Sequence, residues 1–115
     1  MHELGIMNNV LDSAIRVAKE NNGHRVTKVT LKVGVLSGIL PDYMAAFFDM
    51  ISQNTIAQGA ELIIEIEPAV FLCRDCGEKT SFDRYGPDFI CSNCNSENLS
   101  LLSGKSFQIV SVAIV

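Results

Sequence analysis

Four cysteines stand in two pairs, Cys73-Arg-Asp-Cys76 and Cys91-Ser-Asn-Cys94, with fourteen residues between them. No other feature of the chain constrains its fold as tightly. A two-residue gap lets both sulfurs of a pair reach one tetrahedral ion at about 2.3 Å. The spacing belongs to the zinc-ribbon type, slightly short of the commonest gap. Gly77 can take the turn that presents backbone amides to the first pair of sulfurs. Asn95 can visit the same left-handed region at some cost. Three chemistries fit four such cysteines. Disulfides are disfavoured because nothing marks the chain as secreted and cytosolic thiols stay reduced. A rubredoxin-like iron site uses the same four-thiolate geometry, and spacing alone leaves it open. Structural zinc is favoured, since a closed four-cysteine site needs no open position and implies no catalytic water. A structural zinc supplies on the order of 10–16 kcal/mol of apparent binding free energy. The segment needs it, because Phe71, Leu72, Phe82, Tyr85, Phe89, Ile90 and a few leucines are all it has for a core.

The flanking sequence supplies the larger core. Leu4, Met7, Leu11, Ala14 and Ala18 recur at helical spacing, widened by Val10 and Ile15, and predict a helix over about residues 4–20. Asn21-Asn22-Gly23 ends it, with Gly23 suited to the left-handed position after a helix. Val29, Leu31, Val33 and Val35 alternate with Lys28, Thr30, Lys32 and Gly34, a half-exposed strand. Pro41 and Asp42 open a second helix that buries Met44, Phe47, Phe48 and Ile51. Leu62, Ile64 and Ile66 alternate with Glu61, Glu65 and Glu67 in a strand that Pro68 closes. The run from Lys105 to Val115 reads as a last strand rich in β-branched residues. The expected fold is α+β: a small three-stranded sheet with two helices on one face, plus an inserted zinc-ribbon-like four-cysteine domain. The domains are 1–69 with 104–115, and 70–103.

The chain has 115 residues, 48% of them apolar, and a formal net charge of −4. No apolar run approaches the roughly 20 residues of a membrane span. The start of the chain lacks an early basic cluster, so a cytoplasmic protein without a signal peptide is expected. The segment 70–98 carries three basic against five acidic residues, net −2 before any thiolate is counted. That balance disfavours nucleic acid, whose phosphates call for clustered Lys and Arg. The chain has no phosphate-binding loop, because Gly34-Val-Leu-Ser-Gly38 lacks the pattern and its lysine. Ser37 and Ser52 have no His-Asp pattern that would make them nucleophiles. His2 stands at the very start. Its ring Nδ1 and amide, the α-amine of Met1 and the amide of Glu3 can close fused chelate rings on one ion. Deprotonated amide ligands suit square-planar Ni(II) or Cu(II) far better than tetrahedral zinc. A solvated histidine beside a helix-favouring Glu3 is the simpler alternative, and His24, in a turn, reads as exposed.

The start Met-His-Glu-Leu-Gly-Ile-Met and the paired Cys-x-x-Cys motifs occur together. With residues 32–51, 59–77, 91–99 and 103–115 they give a chain that resembles the hydrogenase nickel-incorporation protein family, HypA/HybF, over its whole length. The resemblance implies a two-domain nickel metallochaperone rather than an enzyme. It assigns Ni(II), as transferred cargo, to His2 and the neighbouring backbone including Glu3. It assigns structural Zn(II) to Cys73, Cys76, Cys91 and Cys94. It implies two partners, a nickel-handling GTPase of hydrogenase maturation and the hydrogenase large-subunit precursor, with neither nucleic acid nor membrane involved. The chain departs from the family pattern at Gly5, where serine is expected, at Val35, where an acidic residue is expected, and in a final strand without acidic residues. The contrasting expectations are a zinc-ribbon adaptor with no nickel role, and a small iron-containing electron carrier.

Overall fold

The structure is a computed structural model that describes residues 2–39, 41–83 and 89–115, with side chains from Gly5 onward. Helix α1 spans His2–Glu20, followed by strand β1 (Val26–Gly34), helix α2 (Pro41–Ile51) and strand β2 (Glu61–Glu67). Three short strands come next: β3 (Ala69–Cys73), β4 (Lys79–Phe82) and β5 (Leu99–Ser103). Strand β6 (Phe107–Ile114) ends the chain. The architecture is the expected α+β, built on two three-stranded sheets ordered β2-β1-β6 and β4-β3-β5. The chain divides into two compact units: Met1–Lys32, Ile39–Glu65 and Gln108–Val115 form one, Val33–Gly38 and Ile66–Phe107 the other.

In the first unit α1 and α2 pack on each other. Met7, Val10, Leu11, Ala14 and Ala18 of α1 are buried, as the helical spacing requires, together with Met44 and Phe48 of α2 and Val29 and Leu31 of β1. The helix begins at His2, two residues earlier than its apolar stripe indicates. Its end also differs from expectation. Asn22, with φ +58°, takes the left-handed position, and Gly23 does not. The Gly23 amide donates to the Ala18 carbonyl at 2.7 Å and the Asn22 amide to Lys19 at 3.3 Å. This is the Schellman pattern with asparagine after the helix. Gly23 is glycine for space, because a Cβ there would stand 2.9 Å from Ile114 Cδ1. Arg25 and Val115 exchange both backbone hydrogen bonds, which sets β1 antiparallel to β6.

Strand β1 is the middle strand, and its second face is less exposed than the alternation implies: Thr30 and Gly34 are buried. Strand β2 breaks its alternation at the end. Ile66 is 44% exposed, while the Glu67 carboxylate turns in to accept the Gly104 amide at 2.9 Å. A buried amide donor outbids the apolar pattern there.

In the second unit β3 pairs antiparallel with both β4 and β5. None of these three strands is evident from the sequence. Phe71, Phe82 and Phe89 cluster with ring centroids 4.8–5.8 Å apart, so three aromatic rings make a small core; Tyr85 lies outside the described residues. The unit closes through backbone contact between glycines. A Cβ on Gly34 would run into the Gly104 carbonyl, and one on Gly104 (φ +113°) would meet Ala69 Cα at 2.6 Å. The Leu36 amide donates to the Gly104 carbonyl at 2.7 Å and the Val35 amide to Glu67 at 3.0 Å.

The helix terminus gives a direct test. Asn22→Ala places a Cβ-bearing residue without asparagine's local hydrogen bonding in the left-handed region, at a cost of about 1 kcal/mol. Asn22→Gly should cost nothing measurable. Urea denaturation of the two variants beside the native chain reads the difference.

Candidate metal centre

Two short loops position the four sulfurs, and they are built alike. In the first, the Cys73 amide donates to the Glu78 carbonyl and the Gly77 amide to the Cys73 carbonyl, each at 2.9 Å. In the second, the Cys91 amide donates to the Ser96 carbonyl and the Asn95 amide to the Cys91 carbonyl, again at 2.9 Å. Gly77 (φ +81°) and Asn95 (φ +61°) occupy equivalent left-handed positions, as the sequence predicts. Each loop turns its amides toward its own sulfurs, and the Asn93 amide donates to Cys91 Sγ at 3.4 Å.

The loops bring the sulfurs together. All four Sγ atoms lie within 4.8 Å of one another, with Cys73 and Cys94 3.6 Å apart and Cys76 and Cys91 3.5 Å apart. A disulfide needs about 2.05 Å, so these are free thiols. Four sulfurs at about 2.3 Å from a tetrahedral ion stand roughly 3.8 Å from each other. The cluster fits zinc on both donor set and dimension. Cys73 and Cys91 are buried, Cys76 and Cys94 exposed.

Polar bonds lock the loops to each other and to the sheet. The Asp75 carboxylate of the first loop accepts from the Ser96 hydroxyl and, at 3.3 Å, from the Asn98 amide group. These bonds, that of Ser96 first, hold the Asp75 carboxyl below its ordinary range, so the clasp is complete at neutral pH and weakens only in acid. Thr80 of β4 accepts the Ser92 amide at 3.1 Å. Arg74 Nε donates to the Ser100 hydroxyl at 2.7 Å. Asp75, Thr80 and Ser96 do not stand out in the sequence, because a polar residue in or beside a knuckle looks like any solvated one.

The same amides tune the thiols. The Cys94 amide, followed by that of Asn93, draws the Cys91 thiol down to about 6. The Cys76 amide lowers Cys73. The Ser96 amide alone would lower Cys94, but burial and the three neighbouring sulfurs outweigh it and push that thiol up to about 12. Four thiolates cannot coexist at this separation without a cation.

Of the other expected site residues, the α-amine of Met1 and the side chains of His2 and Glu3 lie outside the described residues. The backbone of His2 and Glu3 forms the first turn of α1. Among the described residues the four cysteines are the one group able to hold a metal ion, and no helix is long and apolar enough to cross a membrane.

Two helices, two small sheets and a closed four-sulfur cluster on paired loops define an α+β protein of the metal-handling class. A family model described as hydrogenase/urease nickel incorporation, metallochaperone, hypA matches residues 1–114. The hydrogenase maturation factor HypA of Aquifex aeolicus is 35% identical over 114 residues, covering 99% of this chain and 97% of that relative. The HypA of Nostoc punctiforme is 38% identical over 114 residues, covering 99% and 96%. The chain belongs to the HypA family. The solution structure of the Ni metallochaperone HypA from Helicobacter pylori shares the fold, with a TM-score of 0.64 at 21% identity over 98% of this chain and 97% of that one. A second HypA solution structure gives 0.67 at 22% identity, covering 100% and 97%.

The ionisation pattern sets how many protons zinc displaces. Because backbone amides favour ionisation at Cys91 and the neighbouring sulfurs oppose it at Cys94, zinc binding to the cluster at pH 7.5 should release at least one and fewer than four protons. Calorimetry in buffers of different ionisation enthalpy counts them. Cys73→Ser or Cys94→Ser should lower zinc content and expose residues 70–103 to protease while the helical unit stays folded, as circular dichroism would record.

Proposed function

We propose that this chain is a nickel metallochaperone for hydrogenase maturation, a delivery protein and not an enzyme. The observation that carries the reading is the family match over residues 1–114 with Met-His-Glu intact at the start. In this reading residues 1–69 and 104–115 handle nickel, and residues 70–103 hold zinc on Cys73, Cys76, Cys91 and Cys94. The setting is cytoplasmic. The partners are a nickel-handling GTPase and the hydrogenase large-subunit precursor.

The nickel ligands are the Met1 α-amine, the His2 amide and Nδ1, and the Glu3 amide. Two physical points support them. Helix α1 begins at His2, and the first four amides of a helix have no acceptor within it. The amides of His2 and Glu3 therefore need not break an intrahelical bond to lose their protons to nickel. A chelate ring through successive backbone nitrogens also closes best with ψ close to zero. Helical backbone, with ψ about −42°, needs less adjustment than a strand at about +135°. Nickel is the cargo here. A terminal set of four nitrogens is open to a partner's ligands from several sides, which suits transfer. The zinc site, closed by four sulfurs, suits retention.

His2→Ala removes the imidazole and opens the ring that orients the backbone nitrogens. Nickel affinity of the untagged, zinc-loaded protein should fall at least tenfold, about 1.4 kcal/mol, with zinc and circular dichroism unchanged. Equal nickel affinity in the variant would return the reading to a zinc-ribbon adaptor. Nickel binding to the native chain should also weaken as pH drops from about 7.5 to about 5.5. Histidine, with an ordinary pKa of about 6.5, must be neutral to coordinate, and the amine must lose its proton too. A flat calorimetric titration across that range would exclude these ligands.

A further inference from the structure

An asparagine followed by glycine is open to attack by its own backbone. The nitrogen of the next residue adds to the side-chain carbonyl carbon, and glycine has no Cβ to hinder it. Of the eight asparagines in the chain only Asn22 precedes a glycine. Asn54, also left-handed with φ +63°, precedes Thr55, whose branched side chain crowds the approach. Asn22 is exposed, just beyond the end of α1. Two features of the fold keep its reacting atoms apart. The Gly23 N–H must give up its proton to attack, and it donates at 2.7 Å to the carbonyl of Ala18, a fully buried residue. A left-handed residue, with ψ of about +47°, also turns the next nitrogen to the far side of the Cα–C bond from its own Cβ. A five-membered ring needs both on the same side. Ile114 covers Gly23, since a Cβ there would stand 2.9 Å from Ile114 Cδ1. The Asn21 side chain ties the same turn by donating to the Val17 carbonyl at 2.8 Å.

We propose that Asn22 is a latent deamidation site, held unreactive by the closed end of α1 and modified only when that end opens. In the open state the Gly23 nitrogen bonds to Asn22 Cγ. The side-chain NH2 leaves with the Gly23 proton as ammonia, and a cyclic imide remains. Water then adds to the ring and breaks one of its two carbonyl C–N bonds, which leaves aspartate or isoaspartate. Either product puts a carboxylate at the negative end of the helix dipole, two residues from Glu20. Isoaspartate also inserts a methylene into the main chain and removes the left-handed residue, so the Gly23–Ala18 bond does not close again. The change reaches the start of β1, where the amides of His24 and Arg25 donate to the Val115 carbonyl at 2.6 and 3.2 Å. A transient opening of the terminus is thereby converted into a permanent mark on the helical unit.

The test ages the full zinc-loaded chain at pH 7.5 beside the same chain unfolded in guanidinium chloride. Peptide mapping by mass spectrometry follows each asparagine through the mass gained when an amide becomes an acid. Asn22 should convert first in the unfolded chain, and at least tenfold more slowly in the native one. Hydrogen exchange of the Gly23 amide measures the opening independently and needs no variant. The slowing of Asn22 should match the Gly23 protection factor within about threefold, because one opening releases the same N–H for both reactions. Ile114→Val thins the cover over Gly23 without emptying it. It should change Gly23 exchange and Asn22 conversion by the same factor, with circular dichroism and conversion at Asn54 unchanged. An unfolded chain that spares Asn22 overturns the proposal, as does a native chain that converts as fast as the unfolded one. So does Ile114→Val if it speeds Gly23 exchange and leaves Asn22 conversion as it was.

Discussion

Four sulfur atoms within 4.8 Å of one another are the constraint on which the inserted unit depends. Thiols so close resist joint ionisation, and the opposed shifts of Cys91 and Cys94 express that resistance. A divalent cation removes the conflict and ties two loops, fifteen residues apart in the chain from Cys76 to Cys91, into one object. Around that object the unit has three phenylalanine rings, three short strands and a few polar bonds. None of these would make a stable domain alone, since a core of this size leaves little after chain entropy is met.

The two loops repeat one hydrogen-bond pattern, yet the bonds between them are not symmetric. Asp75 of the first loop reaches Ser96 and Asn98 beyond the second, while Thr80 of β4 holds the second loop through Ser92. An ion on the four sulfurs would set the distance between the loops, and the polar clasp fixes their relative turn. The backbone contact of Gly104 with Gly34 and Ala69 fixes the end of β5 in the same unit with no side chain intervening.

Much of this was legible in the residues. Paired cysteines at a two-residue gap, with Gly77 and Asn95 following, have few other local solutions, and Pro41 and Pro68 mark boundaries because proline restricts its own and its neighbour's backbone. The missed features share a cause: they depend on what approaches from elsewhere in the chain. Gly23 looked like the left-handed residue, but Ile114 is what forbids a side chain there, leaving the turn to Asn22. Gly34 resembles an ordinary exposed strand position in the sequence, and only the approach of the Gly104 backbone denies it a side chain. Ile66 and Glu67 exchanged exposure because of one amide thirty-seven residues away. The strands of the insert are short, and their pairing is selected by the loops rather than by alternation of side chains.

Each loop contributes one buried sulfur and one exposed sulfur. The cluster therefore has an inner and an outer side. A competing chelator meets Cys76 and Cys94 first, while Cys73 and Cys91 keep their grip from within the fold. Loss of a bound ion would then proceed from the outside inward, with Cys73 and Cys91, one from each loop, the last to release it. The loops would then part only with the last of the ion's bonds.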